Sequence, residues 1–204
     1  MNKNFLIQAQ DLSFERSGRI IFSSLNLSLE EGQIIFIKGK NGSGKTSLLR
    51  CLAGFTPTTS GKILWYGNEV LPAFYSEEPL VAWLGHLDAI KGSLTVKDNL
   101  LFFAKIWSVK LNILNKCIKK LSFEKFMNFP ASWLSAGEKR RLSLLRLSFC
   151  PAKVWILDEP STFLDSDNRE ILINIMNTHL KNKGAIVCAT HDDLKIPNAL
   201  ELTL

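Results

Sequence analysis

The stretch Gly39-Lys40-Asn41-Gly42-Ser43-Gly44-Lys45-Thr46 decides the fold. It meets the pattern G-x-x-x-x-G-K-[ST] at every fixed position, and its surroundings are those that give the pattern meaning. Just before it, Gln33-Ile34-Ile35-Phe36-Ile37 is β-branched and almost wholly apolar, as expected of a strand buried on both faces. Just after it, residues 46–53 carry apolar side chains at helical spacing. Strand, glycine loop and helix in that order make an anion cradle. Gly39, Gly42 and Gly44 let backbone N–H groups curl around phosphate oxygens, with Asn41, Ser43 and Ser47 beside them, and the helix adds its positive end. Lys45 is expected to reach the β- and γ-phosphates of a nucleotide, and the Thr46 hydroxyl to ligate Mg²⁺.

On the N-terminal side, residues 5–14 and 20–29 mix apolar and polar positions as strands do, separated by the turn-like Arg16-Ser17-Gly18. Residues 61–66 read as another strand. From 95 to 150 the pattern is helical, over 96–109, 111–121 and 136–149. Strand signals return at 154–157, 185–189 and 200–204, with an amphipathic helix at 167–181. The expected class is α/β, a strand–helix core interrupted by a helical insertion. No Pro-, Gly- or Ser-rich linker divides it.

A second constellation supports the phosphate loop. Val154-Trp155-Ile156-Leu157 is an apolar strand that ends in Asp158-Glu159, where the carboxyl ends of a parallel sheet open into a ligand crevice. Asp158 is expected to hold Mg²⁺ and Glu159 to polarise an attacking water. No Asn-Lys-x-Asp sequence occurs, which argues against a GTPase.

Composition bounds the rest. The chain has 204 residues, 46% hydrophobic and 22% charged, which fits one folded unit rather than a disordered chain. No apolar run reaches the ~18 residues that a membrane helix needs, and residues 1–10 lack the features of a secretory leader. Cys51, Cys117, Cys150 and Cys188 form no CxxC pair, so neither zinc nor a disulfide framework is expected, and a reducing, intracellular setting is the simpler reading. The net charge of +6 permits an anionic partner without establishing one. Lys139, Arg140, Arg141 and Arg146 fall on one predicted helix and read first as a solvated face, with a phospholipid or nucleic-acid patch as the other reading.

Leu134-Ser135-Ala136-Gly137-Glu138 opens that helix, and by itself Ser135 with Glu138 is a capping box. In order with the other motifs it resembles the LSGGQ signature of ATP-binding-cassette (ABC) ATPases. Pro160-Ser161-Thr162-Phe163-Leu164-Asp165 is similar to that family's D-loop, and Thr190-His191, after a predicted strand, to its switch histidine. The resemblance covers most of the chain and leaves out only residues 105–132. It implies a P-loop NTPase cassette with a RecA-like core, an antiparallel β-subdomain and an inserted helical subdomain. The core and β-subdomain would take residues 1–90 and 151–204, and the helical subdomain about 91–150.

The resemblance also implies ATP and Mg²⁺ as cofactors, with Lys45, Glu159 and His191 in catalysis. Two copies would pair head to tail, each ATP lying between the Lys45 loop of one and Ser135 to Gly137 of the other; Asp165, in the D-loop's aspartate position, is expected among the nucleotide-binding residues. Two departures stand out. The family's glutamine at the junction with the helical subdomain is missing from Trp83-Leu84-Gly85-His86-Leu87-Asp88; His86 has the best spacing to take its place at the metal. The adenine platform, usually aromatic, aligns with Arg16, whose guanidinium plane can stack on a base; Phe14 is the other candidate or a core residue.

Glu15-Arg16, Leu84-Gly85-His86, Ile90-Lys91 and the run from Trp155 to Pro160 further resemble the haem-exporter ATP-binding subunits of cytochrome c maturation. That similarity implies an integral membrane permease subunit (CcmB-like) and haem-handling membrane proteins as partners. It implies a peripheral location on the cytoplasmic face of the inner membrane, or the matrix side in a mitochondrion. ATP would drive haem export or release of a haem-carrying chaperone. This chain has no Cys-x-x-Cys-His motif, and His86, His179 and His191 form no evident haem pair. The other readings are another small exporter, a soluble ABC ATPase on ribosomes or DNA, and a regulatory ATP-binding module. The second usually needs two cassettes or a long coiled coil, and the third is opposed by Glu159 and His191. Leu100-Leu101-Phe102-Phe103 and residues 123–129 are read first as core and second as a permease-docking groove.

Overall fold

The computed structural model describes residues 5–69 and 79–204. The first four residues of the segment read for a leader lie outside them. Two sheets organise the chain. An antiparallel sheet holds β1 (Phe5–Arg16), β2 (Arg19–Glu30) and β4 (Ser60–Trp65) in the order β2-β1-β4. The second sheet is parallel, with the order β5-β6-β7-β3-β8, formed by β3 (Ile34–Lys38), β5 (Val81–Leu84), β6 (Val154–Asp158), β7 (Ala185–Ala189) and β8 (Leu200–Thr203).

The apolar runs of β3, β6 and β7 follow from their central place, because both faces are covered. Ile35, Ile37, Val154, Ile156 and Val187 point to one side, where they pack with β1, β2 and α1 (Lys45–Leu52). Ile34, Phe36, Trp155, Leu157, Ile186 and Cys188 point to the other, against the helices that follow. These are α2 (Val96–Ile106), α3 (Leu111–Lys120) and α4 (Ala136–Phe149), which stand between β5 and β6, and α5 (Ser166–Lys181). Three helix starts are capped by their own sequence: Thr95 accepts from the Asp98 N–H, Asp165 from the Asn168 N–H, and Ser135 with Glu138 forms a complete capping box.

β5 went unread in the sequence. It is four residues long at the sheet edge, too short to show a period, and only its pairing with β6 makes it a strand. The basic cluster on α4 corrects the solvated-face reading. Arg140 is 2% exposed and Arg146 6%, both facing inward, because their guanidinium groups find buried carbonyls. The aromatic segments divide. Leu100, Phe123 and Phe126 are core, whereas Phe102 and Phe129 face outward. Among the described residues no helix is long and apolar enough to cross a membrane, and the four cysteines are free thiols.

Candidate functional site

The phosphate loop bends between the end of β3 and the start of α1, and two glycines make the bend possible. Gly44 has φ +102°, and a Cβ there would lie 2.3 Å from Ile21 Cγ2; Gly39 has φ +146°, and a Cβ there would lie 2.8 Å from the Leu204 carbonyl. The α1 N-terminus has no side-chain cap and no acidic residue in its first turn, so its N–H groups are offered to an anion. Inside the loop the Ser43 N–H donates to the Lys40 carbonyl at 3.1 Å.

Lys45 is almost buried, and its Nζ donates to the carbonyls of Gly39 at 2.8 Å and Lys40 at 3.1 Å. The ammonium is thus held at the loop centre rather than swinging in solvent. One residue on, the Thr46 hydroxyl donates to Asp158 Oδ2 at 2.8 Å, joining α1 to the end of β6. Asp158 is 3% exposed. Two hard oxygen donors therefore meet at one point, the donor chemistry that suits Mg²⁺.

Glu159 follows with φ +49°, a left-handed conformation that turns the chain off β6. Its N–H donates to the Ala189 carbonyl at 2.8 Å, and its Oε2 accepts from the His191 N–H at 3.3 Å. Oε1 lies 3.7 Å from His191 Nε2 and is buried without a hydrogen-bond partner. His191 Nε2 also stands 2.8 Å from Asn41 Oδ1 and 3.2 Å from Lys45 Nζ. The ends of β6 and β7 thus bring a carboxylate and an imidazole against the lysine loop.

These groups line one cleft of about 500 Å³. Asn41, Gly42, Gly44, Lys45, Thr46 and Ser47 form its floor. Asp158, Glu159 and His191 form one wall, and Arg16 and His86 enter from β1 and from the connection after β5. Ile21 and Thr162 also line it, and neither carries a sequence signal of its own. Phe14 packs on Phe22, ring centroids 5.8 Å apart, and does not line the cleft. Ser135, Gly137 and Asp165 stand outside it. Gly137 lies against the D-loop, where a Cβ would come within 3.0 Å of the Phe163 carbonyl.

Sequence reasoning missed Arg140. Its guanidinium donates to the carbonyls of Asp158 (3.2 Å), Glu159 (2.6 Å), Pro160 (3.1 Å) and Gly85 (2.9 Å), and to Asp88 Oδ1 at 2.9 Å. Nothing in the local pattern separates this arginine from Lys139 beside it. Position five on a 14-residue helix is legible as inward-facing only when the neighbours are known.

The chain matches the ABC transporter family over residues 22–162. It is 39% identical over 199 residues to the cytochrome c biogenesis ATP-binding export protein CcmA of Paracoccus denitrificans, covering 98% of this chain and 89% of that one. It is 35% identical over 200 residues to CcmA of Paramagnetospirillum magneticum, covering 96% and 92%. Among solved structures, an ATP-binding ABC transporter protein of Pyrococcus furiosus superposes with a TM-score of 0.83 at 20% identity, over 97% of this chain and 96% of that one. At that identity the superposition speaks for the fold alone. With the motif order and the near-full-length relatives, it leaves one assignment: the chain belongs to the ABC transporter family of ATP-binding proteins, alongside the CcmA proteins.

Proposed function

We propose that this chain hydrolyses ATP for a membrane export complex that serves c-type cytochrome biogenesis. The observation that carries the chemistry is the meeting of Lys45, Thr46, Asp158, Glu159 and His191 in one cleft. The biological setting is supported by similarity, over nearly the whole chain, to proteins named for cytochrome c biogenesis and export.

The roles follow from the geometry. Lys45 exchanges its loop carbonyls for β- and γ-phosphate oxygens, and the free N–H groups of α1 hold the remaining charge. Thr46 and Asp158 would hold Mg²⁺, with His86, which also lines the cleft, as a further candidate ligand; the ion, when bound, would neutralise charge spread over the phosphates. Glu159 Oε1, buried and unpartnered, is the acceptor that orients the attacking water. His191, tied to Glu159 and Asn41, contacts the γ-phosphate. The Arg16 guanidinium stacks on adenine.

Ser135, Gly137 and Asp165 stand outside this cleft, which supports a head-to-tail pair in which they serve the partner's nucleotide. A permease partner of the CcmB kind is supported by an apolar groove of about 330 Å³ between β5 and α2, where Phe55, Trp83, Phe103 and Trp107 present aromatic walls. Through such partners the chain would sit on the cytoplasmic face of the inner membrane. The test is Glu159→Gln in the native host, at normal protein level, with covalent haem in c-type cytochromes read on a denaturing gel. Loss of that signal with b-type haem unchanged is expected. Unchanged c-type haem would sink the cytochrome assignment and leave an exporter of other cargo.

A further inference from the structure

We propose that Arg140 is a positioning residue of the hydrolytic site, fixing Glu159 to the signature helix α4 and to the loop after β5. The proposal rests on the reading of Glu159 as the carboxylate that serves the water. Five acceptors meet one guanidinium that is 2% exposed. Three are the successive carbonyls of Asp158, Glu159 and Pro160, so Arg140 holds the backbone on both sides of the catalytic side chain. The other two, the Gly85 carbonyl and Asp88 Oδ1, belong to the loop that carries His86 into the cleft.

Two further residues on the same face of α4 grip that loop. Ser143 Oγ donates to the Asp88 carbonyl at 2.9 Å, and the Arg146 guanidinium to the carbonyls of Asp88 at 3.2 Å and Ala89 at 3.3 Å. Arg140, Ser143 and Arg146 recur every three residues and so share one side of the helix. Arg140 alone reaches past the loop to the end of β6. A guanidinium is the one side chain that can do this, because it presents five N–H donors in a fixed plane. Glu159 has φ +49°, an uncommon conformation for a non-glycine residue. Its own N–H bond to Ala189 and the Arg140 bond to its carbonyl hold the backbone on both sides of it in that conformation. A small shift of α4 is thereby transmitted to the water-orienting carboxylate, while the phosphate loop, which Arg140 does not touch, keeps its grip on nucleotide.

The test compares the purified full-length chain with Arg140→Met, Arg140→Lys and Glu159→Gln, measuring steady-state ATP turnover and, separately, ATP affinity by displacement of a fluorescent ATP analogue. For Arg140→Met, kcat is expected to fall ~30-fold or more while ATP affinity stays within ~3-fold. Arg140→Lys, reaching fewer acceptors, should fall between Met and wild type. A folded Arg140→Met with kcat within ~3-fold of wild type overturns the proposal, as does a parallel loss of affinity and turnover, the mark of a merely structural role. Should Arg140→Met fail to fold, Arg140→Lys is judged by the same split, and unchanged turnover there overturns the proposal equally. Glu159→Gln separates the two readings. If it turns over normally, the hydrolytic reading falls and takes this one with it; if it is inactive while Arg140→Met is normal, only the Arg140 role falls.

Discussion

His191 Nε2 lies 2.8 Å from Asn41 Oδ1, so the second residue beyond the end of β7 touches the phosphate loop directly. The same nitrogen is 3.2 Å from Lys45 Nζ, and one nitrogen cannot donate to an amide oxygen and accept from an ammonium together. The tautomer therefore selects which loop residue the histidine holds. His191→Ala removes this choice and, on the proposed role, the contact with the γ-phosphate. ATP turnover should fall ~10- to 100-fold with affinity changed by ~3-fold or less. Steady-state kinetics beside equilibrium ATP binding checks it; equal loss in both would refute it.

Thr46, exposed on the cleft floor, is tied by one short hydrogen bond to the nearly buried Asp158. Thr46→Val keeps the shape and removes the hydroxyl, leaving a buried carboxylate oxygen short of a donor. Stability by urea unfolding should drop by about 1–2 kcal/mol. Stimulation of ATP turnover by added Mg²⁺ should weaken at least ~10-fold. Stability and Mg²⁺ response both unchanged would contradict the placement.

Arg16 enters the cleft from the last residue of β1, whereas Phe14 is engaged with Phe22 in the core. Arg16→Ala should raise the KM for ATP ~3- to 10-fold, and Arg16→Tyr should restore it, since an aromatic ring offers the same stacking plane. Phe14→Leu should leave KM unchanged and lower the melting temperature slightly. A KM rise in the Phe14 variant alone would transfer the platform to that residue.

His179 stacks on Trp155, ring centroids 3.8 Å apart and planes 11° apart, with Nε2 donating to the Lys153 carbonyl at 3.1 Å. Burial pushes its pKa down to about 4. The unfolded chain takes up that proton near pH ~6.5, so the stabilisation is complete above that value and is lost as pH falls toward 4. Allowing for the ring's partial exposure, about 1–2 kcal/mol should disappear between pH 7.5 and pH 5.0. His179→Phe keeps the stack without the titration, and its urea-derived stability should depend less on pH by that amount. An identical pH dependence in both proteins would exclude the effect.

What the sequence made legible is what the chemistry demands of neighbours in the chain. A glycine loop between a buried strand and a helix, two carboxylates at a strand end, and a serine three residues before a glutamate each declare themselves within a few positions. Local backbone geometry and capping act over that range. The structure accordingly places the loop, Asp158-Glu159 and the Ser135 cap on the expected elements. β5 escaped because four residues carry no readable period. Arg140 and Arg146 escaped because charge in a sequence says nothing of whether buried carbonyls await it.

The amino-acid order determined by itself that this chain is a nucleotide-binding α/β protein of the ABC type, since its motifs are local and come in a fixed order. Only the tertiary structure decided which distant residues share the cleft. His191 meets Asn41 across 150 positions, and Thr46 meets Asp158 across 112, because β3, β6 and β7 lie side by side in a parallel sheet whose carboxyl ends open together. The same packing turned an arginine from an apparently solvated helix face into the tie between that helix and Glu159. Such a contact depends on burial and on backbone acceptors, and neither is written in residue types or their spacing.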